Sequence, residues 1–271
     1  MSEHKVKVKR IFFFDSGVGG LSIYRDVNKL NPDIEAYYFF DNEFFPYGNK
    51  SEEFIRDRCY RLISEANRRF DLSGIVVACN TASTIVLPTL RSHIGIPIVG
   101  VVPAIKPAAI LSKNKILGLL ATPGTISREY TKKLISKFAQ DCSIIKVGKS
   151  ELAEIAEERL TTGHVDKEAI KLILKPFMNE DKEKRPDTVI LGCTHYPFIK
   201  DVIAEILPGV RLVDTGEAIG RRVKNVVGKG SYKEVEMKRN RAFYTGELKN
   251  YNDRLKMVQS FGFEKLEKFV I

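Results

Sequence analysis

No apolar run in this chain approaches the roughly 20 residues of a membrane span. Its Lys-rich start leads only into Ile11-Phe12-Phe13-Phe14 before Asp15 interrupts, too short for the core of a secretory leader. A soluble, cytoplasmic protein with no membrane association is expected. Cysteine is scarce, at four residues, and in a reducing compartment none is expected in a disulfide. No two stand at the close C-x₂₋₄-C spacing of zinc ligands, so no metal is expected. Acidic residues are short as well, 34 against 44 Lys and Arg, for a net charge of +10. The densest basic stretch, Arg221 to Arg241, sets eight Lys or Arg against Glu234 and Glu236, with Tyr232 as its lone aromatic. It holds no nucleic-acid motif and reads as a solvated face, so no specific nucleic-acid partner is expected; the surplus favours anionic substrates.

What is present is enough for a sizeable core. With 271 residues, 44% hydrophobic and 29% charged, the chain suffices for one large domain or two ordinary ones, burying about three quarters of its unfolded surface. Apolar strand-like runs alternate with helical patterns, the mark of βα units and a mostly parallel sheet flanked by helices. Strands are expected at 9–14, 35–41, 74–79, 97–102, 115–121, 143–147, 187–192, 210–213 and 242–246. Between them, 51–70 reads as a helix: Ser51 suits an N-cap, Glu52 and Glu53 the first turn, and Ile55, Cys59, Leu62, Ile63 and Ala66 form an apolar stripe. Cys59 thus belongs to a core face, and Cys142, with only Asp141 beside it, reads as structural.

Three prolines between Ile96-Pro97 and Lys106-Pro107 mark a crossing between two lobes, and Leu207-Pro208-Gly209 marks the return. Lobe one is read as residues 1–102 with 213–271, and lobe two as 103–212.

Two segments match each other, Val76-Val77-Ala78-Cys79-Asn80-Thr81 and Val189-Ile190-Leu191-Gly192-Cys193-Thr194-His195. In each, an apolar run breaks at a small residue and a cysteine with polar neighbours follows. Two equivalent βα units, one per lobe, would place both thiols at strand carboxyl ends, where open α/β sheets bind ligands. Core packing alone does not explain the hydrogen-bonding groups that follow each thiol. The Gly-rich stretch Asp15-Ser16-Gly17-Val18-Gly19-Gly20 follows a strand and opens a helix. It fails as a dinucleotide fingerprint because Ser22 replaces the third glycine, and Gly148-Lys149-Ser150 fails as a P-loop because Ser143 stands where the first glycine belongs. The amides of Gly17 to Gly20 are suited to an anionic group such as a carboxylate.

Taken together, Phe14-Asp15-Ser16-Gly17-Val18-Gly19-Gly20, Phe45-Pro46-Tyr47-Gly48, Ala78-Cys79-Asn80-Thr81-Ala82 and Leu191-Gly192-Cys193-Thr194-His195-Tyr196-Pro197 resemble the signature segments of the glutamate racemase family, in order and at suitable spacing. Ala121-Thr122-Pro123-Gly124-Thr125 and Phe243-Tyr244-Thr245-Gly246 are similar to its weaker landmarks. The resemblance runs from about residue 10 to beyond 246. It implies two pseudosymmetric α/β lobes with the active site between them, and interconversion of L- and D-glutamate without a cofactor, supplying D-glutamate for peptidoglycan and hence cell shape. A homodimer is expected. Racemisation at an α-carbon without pyridoxal requires one base and one acid on opposite faces, and Cys79 and Cys193 meet that demand.

By the resemblance, Asp15 assists Cys79, which acts on D-glutamate, and His195 assists Cys193, which acts on L-glutamate. Asp15, Ser16, Tyr47, Gly48, Asn80, Thr81, Thr194 and His195 match substrate-holding positions. One departure is local: Ile144-Ile145-Lys146-Val147-Gly148-Lys149-Ser150-Glu151 replaces a proline-containing strand end, with Glu151 as the candidate for the acidic role there. Two alternatives are an aspartate or hydantoin racemase of the same superfamily and a basic binding module on an inactive racemase fold.

Overall fold

The computed structural model describes residues 8–179, 181–228 and 239–271; the middle of the basic stretch noted above, 229–238, lies outside them. The first part of the chain runs β1 (Lys9–Asp15), α1 (Leu21–Leu30), β2 (Ile34–Phe40), α2 (Glu52–Arg69), β3 (Gly74–Val77), α3 (Asn80–His93) and β4 (Ile98–Gly100). There follow α4 (Ile105–Leu111), β5 (Ile116–Ala121), α5 (Pro123–Ser127), α6 (Glu129–Phe138), β6 (Ser143–Gly148), α7 (Glu151–Thr162), α8 (Lys167–Leu174), β7 (Thr188–Leu191), α9 (Lys200–Ile206) and β8 (Arg211–Val213). The last part holds α10 (Gly216–Val227), β9 (Arg241–Tyr244), α11 (Tyr251–Ser260) and β10 (Lys265–Lys268).

These strands form two parallel sheets. One has the order β10-β9-β2-β1-β3-β4, the other β6-β5-β7-β8. In each sheet the first strand of the lobe lies between its second and third and the fourth is at the edge, so lobe two repeats the order of the first four strands of lobe one. Both faces are covered by helices, which is why the strands read as continuous apolar runs. Along β1, Phe12 and Phe14 pack on the side of α2 and α3, while Ile11 and Phe13 pack on the side of α1 and α10. Rings tie the layers together: Phe14 stacks on Phe39 at 5.6 Å, and Phe13 meets Tyr24 edge-on at 5.4 Å. Helix α2 begins as the sequence requires, with the Ser51 side chain accepting from the Phe54 amide and Cys59 wholly buried on its core face.

The chain passes from β4 to α4 through the proline-rich segment and returns after Val213. Leu207-Pro208-Gly209, read from sequence as the return, is the turn from α9 into β8, which still pairs with β7. Strand β10 has no counterpart among the expected strands. Its residues Lys265-Leu266-Glu267-Lys268 are mostly charged because it is the sheet edge, where charge discourages further pairing. Among the described residues no helix is long and apolar enough to cross a membrane.

Candidate active site

Strand register places the two thiols equivalently. Phe14 of β1 pairs with Val77 of β3, and Leu120 of β5 pairs with Leu191 of β7. Cys79 and Cys193 each stand two residues beyond those partners, at the carboxyl ends where strand order reverses. Both line one cavity between the lobes. Lobe one contributes Asp15, Ser16, Tyr47, Gly48, Asn80 and Thr81 to its wall; lobe two contributes Thr194, with Thr122 and Ala153, which sequence reasoning did not assign. The space measures about 10 Å³, scarcely more than one water occupies. At that size the cavity does not hold an amino acid.

Cys79 caps α3, and its sulfur accepts from the Ala82 amide at 3.5 Å and lies 3.7 Å from the Ser16 hydroxyl. A helix N-terminus favours a thiolate. Burial and the neighbouring Asp15 charge act the other way and push the thiol well above its ordinary range. Asp15 accepts from the amides of Ser16 and Gly20 and from the Thr194 hydroxyl of lobe two at 3.0 Å. Burial raises its own pKa, opposed by His195. Asn80 carries a buried side-chain N–H₂ with no partner, a donor available to a ligand in the cavity. Thr81 is engaged with Thr122 at 2.9 Å and Thr125 at 3.1 Å, both on lobe two.

Cys193 has a different companion. Its sulfur lies 3.7 Å from Nδ1 of His195, which stands behind it rather than in the cavity wall. The other ring nitrogen, Nε2, is 2.9 Å from Oε2 of Glu157 on α7 and 3.1 Å from the backbone N–H of Gly19. These partners ask for opposite proton positions: a protonated Nε2 donates to Glu157, whereas a bare Nε2 accepts from Gly19. Burial alone would lower the His195 pKa, but Cys193 and Glu157 outweigh it and raise it to about 10. The charged ring with Nε2–H toward Glu157 is thus the favoured form. Burial would raise the Glu157 pKa, yet His195 and Arg254 hold it below the ordinary value.

The Gly-rich loop after β1 does hold an anion, but the anion belongs to the protein. The Gly20 amide is taken by Asp15 and, from lobe two, the Gly19 amide by His195 and the Val18 amide by Glu157, whose Oε2 accepts at 3.2 Å. The glycines serve close approach. A Cβ on Gly19 would collide with the His195 ring, and one on Gly17 would stand 2.5 Å from Glu157.

Tyr47 lines the cavity with its hydroxyl turned away, donating to Asp41 at 2.5 Å. Asp41 also accepts from Arg58 and from Thr245 of the Phe243-Tyr244-Thr245-Gly246 landmark. The O–H that sequence reasoning offered to substrate is therefore committed elsewhere. Glu151 opens α7 on its exposed side, and the carboxylate that enters the site from this helix is Glu157. Neither Glu157 nor Arg254 was found from sequence. The one available signal is that Glu157 continues the apolar stripe of Leu152, Ala153 and Ala156.

The Asp/Glu/Hydantoin racemase family matches residues 19–223. A glutamate racemase of Photorhabdus laumondii is 47% identical over 262 residues, covering 96% of this chain and 90% of the relative. One from Escherichia coli is 45% identical, covering 96% and 91%. The crystal structure of Escherichia coli glutamate racemase in complex with L-glutamate and the activator UDP-MurNAc-ala superposes with a TM-score of 0.91 at 44% identity, covering 97% of this chain and 99% of that one. Matched over nearly its whole length, with two thiols facing one interlobe cavity, the chain belongs to the glutamate racemases of the Asp/Glu/Hydantoin racemase family.

Proposed function

We propose that the protein interconverts L- and D-glutamate by two-base proton transfer between Cys79 and Cys193, without a cofactor, and so supplies D-glutamate for peptidoglycan. The observation that carries this reading is that the thiols, from equivalent strand ends of opposite lobes, line the same cavity. In the L-to-D direction the Cys193 thiolate takes the α-proton and the Cys79 thiol delivers one to the opposite face. His195 Nδ1, 3.7 Å from the Cys193 sulfur, is placed to exchange a proton with it, and the raised pKa of Cys79 keeps it a thiol ready to donate. The reverse reaction exchanges the two roles.

Charge developing on the α-carboxylate calls for fixed donors. Asn80 offers an unengaged one, and the Ser16 and Thr194 hydroxyls stand in the same wall. Entry requires the lobes to part at the two crossings, and closure brings the Gly17–Gly19 loop back onto Glu157 and His195. The test follows circular dichroism of each pure enantiomer with chelator present and pyridoxal phosphate absent. Ellipticity should decay to zero from either side with glutamate and far more slowly with aspartate. Unchanged ellipticity, or decay with aspartate alone, would overturn the reading.

A further inference from the structure

Arg254 stands near the start of α11, in the last part of lobe one, and reaches across to α7 of lobe two. Its Nη1 lies 2.9 Å from Oε1 of Glu157, and the two side chains are 21% and 8% exposed. The second oxygen of that carboxylate faces His195 Nε2, and His195 Nδ1 faces the Cys193 sulfur. A continuous line of four polar side chains thus runs from a lobe-one helix to the lobe-two thiol. Among the described residues nothing comparable reaches Cys79, since the hydrogen-bond partners of Asp15 there are backbone amides and the Thr194 hydroxyl.

We infer, on the face assignment proposed above, that Arg254 is a positioning residue for the Cys193 half of the reaction: by pairing with Glu157 across the lobes it keeps His195 oriented and charged against Cys193, and it takes no part in the Cys79 half. The physical reason is the burial of Glu157. A buried carboxylate stays ionised only when its partners offset the lost hydration. Without Arg254, Glu157 has His195 as its sole cationic partner among the described residues and more readily takes up a proton. A neutral Glu157 no longer holds a proton on Nε2, and the ring is then free to accept from Gly19 instead.

Overall racemisation cannot isolate one face, because an equilibrium constant of one forces kcat/KM to be equal in both directions. Elimination can. With 3-chloroglutamate, loss of the α-proton to a thiolate lets the C–H electron pair form the Cα–Cβ double bond as chloride leaves with its own pair. The enamine then takes up water to give 2-oxoglutarate and ammonia. A single base suffices, so a Cys79→Ser protein reports on Cys193 with the L-form, and a Cys193→Ser protein reports on Cys79 with the D-form.

Adding Arg254→Gln to Cys79→Ser should lower kcat for the L-form by about tenfold, the scale of one charge-assisted contact, with KM little changed. Adding it to Cys193→Ser should leave D-form elimination unchanged, which also shows that the variant is folded. Arg254→Lys should restore most of the loss. Equal slowing of both halves, or an undiminished L-form rate, would overturn the inference while leaving the two-base reading intact. Absence of any enantiomer preference in the single-thiol proteins would overturn the face assignment and this inference with it.

Discussion

Cys79 and Cys193 occupy equivalent places in their sheets, yet their surroundings are inverted. In lobe one the charged neighbour comes before the thiol in sequence: Asp15 ends β1, next to the β3 end that carries Cys79. The matching position at the end of β5 is Ala121, followed by Thr122 where lobe one has Ser16. Lobe two instead sets its ionisable group after the thiol, His195 where lobe one has Thr81. Cys79 caps the 14-residue α3, whereas Cys193 leads into the short turn Tyr196–Ile199 before α9. One thiol thus sits at a helix terminus beside a carboxylate, and the other beside a buried imidazole ring. Pseudosymmetry preserved the two sulfur positions but not the means of controlling their protons. A racemase needs its two faces matched in rate over the whole cycle, which does not require them to be matched in chemistry.

The strongest way to break this comparison is to remove one thiol at a time. Cys79→Ser and Cys193→Ser should each lower glutamate racemisation by ~10³-fold or more, since a serine hydroxyl ionises far less readily at neutral pH. Measured by chloride release from 3-chloroglutamate, Cys193→Ser should process the D-form and spare the L-form, with the opposite preference in Cys79→Ser. Equal losses on both enantiomers would show that the sulfurs are not face-specific bases.

A smaller effect is expected at Gly19. Its added methyl would meet a His195 ring held between Glu157 and Cys193. Gly19→Ala should cost about 1–3 kcal/mol of stability by overpacking and about 100-fold in racemisation through a displaced ring. Paired with single-thiol backgrounds, it should slow the L-form and largely spare the D-form. An unimpaired L-form rate would mean that the ring position is not what supports Cys193.

The finest test is the pH dependence of unfolding. His195 binds its proton more tightly when folded, with a pKa raised to about 10 against roughly 6.5 in an unfolded chain. Its contribution is complete below about pH 6.5, declines as the pH rises, and is gone above about pH 10. Urea unfolding across that range should therefore show the unmodified protein losing an advantage that His195→Asn never has. Cys79 titrates in both proteins, so its contribution drops out of their difference. Parallel curves would show that His195 is not held charged, and the contrast between the two thiols would narrow.

The amino-acid sequence by itself determined the parallel sheets and the thiol positions. Strands covered on both faces must be apolar throughout, so β1, β3, β5 and β7 announce themselves, and a polar residue just past such a run, as at Asp15, Cys79 and Cys193, marks a strand end facing a crevice. The edge strand β10 gave no such signal, because an edge is kept safe by charge rather than by apolar residues. Only the tertiary structure decided which carboxylate of α7 enters the site. Glu151, Glu154, Glu157 and Glu158 look alike in a charged helical segment. Glu157 is chosen because α7 meets the glycine loop after β1 and the Arg254 side chain of α11 along one line. Those contacts join residues distant in sequence, and a buried charge is tolerated only where such partners converge, so the local stripe of Leu152, Ala153 and Ala156 could place Glu157 on the inner face of α7 but not assign it a partner.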